Sequence, residues 1–219
     1  MQERIHKIAE YVRGYLFSMA EQRDGPFVDP DYRWQHTLRV MNIGKQIAEA
    51  EGGNLEHVLA GCLLHDMAHF NDDDHYINHG RLAAQICRPF LQEVGYSEKD
   101  IDAICYAVAV HVDGESDFDH PKTIEAEIVS DADNIDRFSA YRILLYCQPV
   151  VYDFRALVAK LEERLKVLHD YRSKRLMGTE TGHQLFNQRL ERQIEFYEAI
   201  LAQNEITILP ELNLTDPPE

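Results

Sequence analysis

The chain lacks any apolar run of the roughly 18 residues needed to cross a bilayer. Its N-terminus carries Glu3 and Arg4 within an amphipathic pattern, with no apolar leader. No membrane partner is expected, and a cytoplasmic location is. Positive charge is scarce: 22 Lys+Arg stand against 38 Asp+Glu, a net charge of −16. Such a field repels a polyphosphate backbone, so a nucleic-acid polymer is not an expected partner. A small phosphorylated molecule stays compatible, because a metal and a few local Arg or Lys outweigh the global field. Cysteine is sparse and unclustered. Cys62, Cys87, Cys105 and Cys147 form no CxxC pair and read as small core hydrophobes in a reducing compartment. Internal repeats, low-complexity segments and period-two strand alternation are absent as well.

What is present is helical periodicity. The first helix, about residues 2–21, has Ile5, Ile8, Ala9, Val12, Leu16 and Met19 on one face. Gly25-Pro26 breaks the chain, and Asp29-Pro30 reads as an N-cap with proline at the first helical position. The second helix runs to Gly52-Gly53 with His36, Val40, Ile43 and Ile47 inward. Asn54 caps a third, which ends near His65-Asp66. The polar run 71–75 reads as a loop, and a helix over about 77–94, starting near His79, follows. Ser97 and Asp100 open the next, whose stripe is Ile101, Ile104, Cys105, Val108, His111 and Val112. After a loop from Asp113 to Pro121, another helix holds Ile128, Val129, Asp131, Asp133 and Asp136. Two long helices close the chain, and the tail beyond Glu205 reads as extended. The expectation is an all-α helical bundle, a single domain of 219 residues able to bury a full core. Residues 1–29 supply a packing helix, 30–145 the core, and 146–219 the helices and tail that complete it.

The chain is organised around Leu63-Leu64-His65-Asp66. The stripe Leu55, Val58, Leu59, Cys62 carries His65 and Asp66 inward at helical spacing. Elsewhere His36, His111 and the pair Asp131/Asp133 also fall on inward faces. Buried ionisable groups need one another or a cation. Imidazoles with carboxylates suit divalent Mn, Fe, Co, Ni or Zn; a hydrogen-bonded polar core is the other reading.

The order of these residues resembles the HD superfamily of metal-dependent phosphohydrolases, a helical fold. The similarity is carried by His36-Thr37-Leu38-Arg39-Val40, Leu63-Leu64-His65-Asp66, His79 with Ala83-Ala84, His111, and Asp131-Ala132-Asp133-Asn134-Ile135-Asp136. It spans about residues 30–145 and is weaker through the last helices. The resemblance implies His36, His65, Asp66 and Asp133 as metal ligands, with Asp131 as the alternative or an outer-shell carboxylate. His79 and His111 match positions that bind a second metal in binuclear branches and face the substrate phosphate in others. The cofactor implied is one or two divalent ions of Mn, Fe, Co, Ni, Zn or Mg. The chain departs from many relatives at Ala68-His69, where they carry Gly-Lys or Gly-Asp. His69 can donate a proton, bind phosphate, or face solvent. Arg39 and Arg137 can neutralise a phosphate or pair with a local carboxylate. A carboxylate among Asp72, Asp73 and Asp74 orients the attacking water or belongs to a solvated loop, while Lys174 and Arg175 read as plain surface.

The activity implied is hydrolysis of a phosphoester or phosphoanhydride of a nucleotide or similar small phosphorylated molecule by a metal-activated water. His111, His79 or His69 would balance charge or protonate the leaving group. Two other readings are a di-iron HD-fold oxygenase and a catalytically silent nucleotide-binding regulatory module. A homodimer is left open.

Overall fold

In the computed structural model the described residues are 1–23, 28–71 and 76–206. The break at Gly25-Pro26, the Asp72–Asp74 carboxylates and the tail from 207 lie outside them. Among the described residues nine α-helices form and no strand. They are α1 Gln2–Ala20, α2 Pro30–Glu51, α3 Leu55–Leu64, α4 His79–Glu93, α5 Glu98–Val110, α6 Ile124–Asp136, α7 Ala140–Cys147, α8 Phe154–Arg172 and α9 Glu180–Glu205. No helix among them is long and apolar enough to cross a membrane.

The helix ends follow from local chemistry. Asp29 caps α2 by accepting from Tyr32 N, with Pro30 at the first position. Gly52, at φ 89°, ends α2 in a backbone region that costs an L side chain energy. Asn54 accepts from Glu56 N and His57 N at the start of α3, and Ser97 accepts from Asp100 N at the start of α5. The short helix α7 escapes the sequence reading because it buries only Ile143 and Cys147, too few to show a period.

The chain forms two compact units: residues 1–136 with 177–183, and 137–176 with the residues from 184 onward. In the first, α2 packs on α3 and α6, α3 on α5 and α6, and α4 on α5. The α1 stripe Ile8, Val12, Leu16 and Ala20 joins one core with Ala60, Leu63 and Leu64 of α3 and Leu91 of α4. Burying such side chains drives the assembly, each Ile, Leu or Val by about 1.5–3 kcal/mol. In the second unit, α8 buries Leu157, Leu161, Leu165 and Leu168, and Phe186, Leu190, Ile194 and Tyr197 are buried on α9.

One glycine sets how closely two site-bearing helices approach. A Cβ at Gly80 would stand 2.9 Å from the carbonyl oxygens of Val108 and Ala109 and from His111 Nδ1. Gly80→Ala therefore forces α4 away from α5 and displaces His79 from His111. We expect a loss of about 1–3 kcal/mol, measured as a lower Tm, with weaker metal binding in the same variant.

Candidate metal centre

Beyond Leu64 the chain continues in tight turns, with Met67 N donating to Leu64 O and His69 N to Asp66 O. His65 and Asp66 thus project together from the end of α3, 0 % and 4 % exposed. His36 comes from the second turn of α2, His79 opens α4, and His111 follows the last turn of α5. All three are buried.

Three imidazoles are held the same way. His65 Nδ1–H donates to the Cys62 carbonyl at 2.8 Å, His111 Nδ1–H to the Val108 carbonyl at 2.7 Å, and His36 Nδ1–H to Asp136 Oδ2 at 2.8 Å. Each acceptor lacks a proton of its own, so each bond fixes Nδ1 as a donor and turns Nε2 toward the interior.

Those Nε2 atoms converge on Asp66, which serves two groups. On its Oδ2 side, His36 Nε2 lies at 3.3 Å and His65 Nε2 at 3.4 Å, with the two nitrogens 3.2 Å apart. Asp133 Oδ1 adds a fourth donor, 3.2 Å from His36 Nε2 and 3.9 Å from His65 Nε2. On its Oδ1 side, His79 Nε2 lies at 2.9 Å and His111 Nε2 at 3.9 Å, with those nitrogens 3.2 Å apart. The sets His36–His65–Asp66 and Asp66–His79–His111 are each close enough to hold a metal ion.

These spacings fit a cation better than a hydrogen-bonded core. One Nε2–H can serve one acceptor well, yet His36 Nε2 has three donor atoms at 3.2–3.3 Å around it. Ligands about 2.1 Å from a common centre stand about 3.0–3.4 Å from each other, for octahedral or tetrahedral angles. The electrostatics agree. Burial would lower the His36 pKa, but Asp133, Asp136 and Asp66 overcome it and hold the group well above its ordinary value. A proton there supplies positive charge that the carboxylates demand. Burial would raise Asp66, and Arg33 and His65 hold it well below the carboxylate range instead. Burial pushes His111 down to about 4, leaving a neutral imidazole of the kind that binds metals.

The remaining sequence candidates divide. Asp131 turns away from the cluster: its carboxylate accepts from Gly178 N at 2.9 Å, Thr179 N at 2.9 Å and Thr179 Oγ1 at 2.7 Å. Arg39 pairs with Asp136, Nε to Oδ1 at 2.9 Å and Nη2 to Oδ2 at 3.1 Å. It braces the carboxylate that holds His36. Arg137 is exposed and falls in the second unit. Lys174 pairs with Asp170 on the surface. His69 reaches the cluster through Arg33, whose Nη1 pairs with Asp66 Oδ2 and whose Nη2 donates to His69 Nε2 at 2.7 Å. Burial pushes His69 down to about 4, which suits a neutral acceptor of that bond.

Sequence reasoning missed two residues here. Arg33 sits one turn before His36, on the face already marked as inward, and that spacing was a usable signal. Asp136 was on the α6 stripe, but nothing in the sequence paired it with a histidine 100 positions earlier.

Residues 33–137 match the family model described as HD domain. No curated protein matches in sequence. Among solved structures, an HD-superfamily hydrolase from Bacillus thuringiensis is 21% identical, covering 95% of this chain and 99% of its own, with a TM-score of 0.66. A predicted HD superfamily hydrolase from an uncultured Thermotogales bacterium is 19% identical over 89% of this chain and 91% of its own, with a TM-score of 0.61. Bacillus subtilis YpgQ in complex with ADP is 22% identical over 94% and 98%, with a TM-score of 0.57. At these identities the likeness is one of fold.

Proposed function

We propose, from the match of residues 33–137 to the HD domain model, a metal-dependent phosphohydrolase acting on a nucleotide or similar small phosphorylated molecule. The observation that carries the proposal is the sharing of Asp66 between two histidine groups whose Nε2 atoms are turned toward it. We assign His36, His65, Asp66 and Asp133 to one divalent ion, and Asp66, His79 and His111 to a second. When bound, such ions supply Lewis acidity that makes water a nucleophile near neutral pH and draws charge from a phosphoryl oxygen.

The protein's own groups do the rest. Asp136 and the Cys62 and Val108 carbonyls fix the imidazoles before substrate arrives, so little reorganisation is left for the reaction. Arg33 sits beside the cluster with its Nε buried and without a hydrogen-bond partner. An anionic phosphoryl group is the natural acceptor for a guanidinium in that state. Its neighbour His69, neutral in this setting, accepts from Arg33 Nη2 and so positions that guanidinium. The presence of ADP on B. subtilis YpgQ supports a nucleotide as the substrate class. The acidic surface is consistent with a small molecule in preference to a polymer.

The test is a screen of nucleoside mono-, di- and triphosphates with Mn²⁺, Co²⁺, Ni²⁺ or Mg²⁺, reading phosphate and pyrophosphate release. We expect turnover that stops on chelation and returns with metal. Nucleotide binding without turnover would favour the regulatory-module reading. The shared carboxylate also suits a di-iron oxygenase, and bound iron with oxygen consumption in place of phosphate release would select that reading.

A further inference from the structure

The seam between α4 and α5 holds a pair of cysteines that the proposed hydrolysis does not use. Cys87 and Cys105 are 0 % and 1 % exposed, and their sulfurs lie 3.9 Å apart. Both thiols reach the same acceptor, the Ala84 carbonyl, at 3.5 Å each. One carbonyl shared by two thiols satisfies neither strongly. The other cysteines stand apart: Cys62 lies against Gly44 of α2, and Cys147 belongs to the second unit.

From this placement we infer that Cys87 and Cys105 form an oxidisable dithiol, which hydrogen peroxide converts to a disulfide joining α4 to α5. The sulfurs must close from 3.9 Å to about 2.05 Å. The sulfurs already face each other across the seam, and rotation about χ1 of either cysteine changes their separation. The Cys87 hydrogen bond and then the Arg88 guanidinium hold Cys105 below the ordinary thiol range, against burial. The hydrogen bond to Cys105 and then burial push Cys87 well up. Either sulfur can donate in their contact, so either can lead. With Cys105 leading, its thiolate attacks the peroxide, the O–O bond breaks, and a sulfenic acid and hydroxide form. The Cys87 thiol then attacks the sulfenic sulfur, the S–O bond breaks, and water leaves with the thiol proton. Two thiols lose two electrons, and one peroxide is reduced to two waters. A cavity of about 220 Å³ opens against Ala84, whose carbonyl both thiols share, and Arg88, the residue after Cys87. The link would fall about two turns from both His79 and His111, pinning the two helices that carry one side of the histidine cluster.

The inference is independent of the hydrolase reading. It is tested by treating the full chain, as purified, with hydrogen peroxide, removing the peroxide with catalase, then denaturing and alkylating. Alkylatable thiols should fall from four to two, with a Cys87–Cys105 cross-linked peptide that dithiothreitol reverses. Cys87→Ser and Cys105→Ser should each lose that peptide. Four remaining thiols, a cross-link through Cys62 or Cys147, or oxidation of one cysteine to the sulfinic acid without a cross-link would each overturn it.

Discussion

Asp66→Ala should lower phosphate release by about 10²–10⁴-fold, the range expected when several kcal/mol of metal-supplied stabilisation is lost. It should also weaken the binding of both ions, because each oxygen of this carboxylate faces a different histidine group. His111→Ala removes a donor from one group only. That variant should keep one ion per chain, whereas Asp66→Ala should hold less than one. Metal content after gel filtration, with far-UV circular dichroism to show that each variant folds, separates the two outcomes. Equal metal content in wild type and Asp66→Ala would remove the shared carboxylate from the mechanism.

Asp136→Ala should act through His36 without touching the metal. Its carboxylate holds His36 Nδ1 and the Arg39 guanidinium while itself 1 % exposed. Removing it frees the ring to rotate, and outer-shell losses of this kind cost about 10–100-fold in metal affinity. The half-saturating metal concentration should rise by that factor while the rate at saturating metal stays near that of wild type. The variant should also lose about 1–3 kcal/mol of stability, since buried donors are left without an acceptor. A fall in the saturated rate with unchanged metal dependence would mean that Asp136 touches the reaction directly.

The inward stripes of α2, α3 and α5 were legible because a buried histidine breaks an apolar pattern visibly, and His36, His65 and His111 are all buried where periodicity put them. Asp131 and Asp133 show where that signal ends. Two residues apart on a helix they point about 200° from one another, so only one can face a given centre, and spacing does not say which. The structure turns Asp131 toward Gly178 and Thr179, partners 47 and 48 positions away that carry no motif. Arg39 shows a second limit. Its place one turn from His36 left phosphate and a carboxylate partner both open, and the partner, Asp136, is visible only once α2 and α6 are packed. His79 opens its helix after a polar run, where periodicity alone does not mark it as inward and only the resemblance did; closeness of α4 to α5 at Gly80 buries it against His111.

Anomalous diffraction from crystals grown with Mn²⁺ tests the metal assignment most directly. One peak is expected enclosed by His36, His65, Asp66 and Asp133, and another enclosed by Asp66, His79 and His111, each facing a different oxygen of Asp66. Crystals with manganese bound elsewhere, and no peak within bonding distance of Asp66, would contradict it.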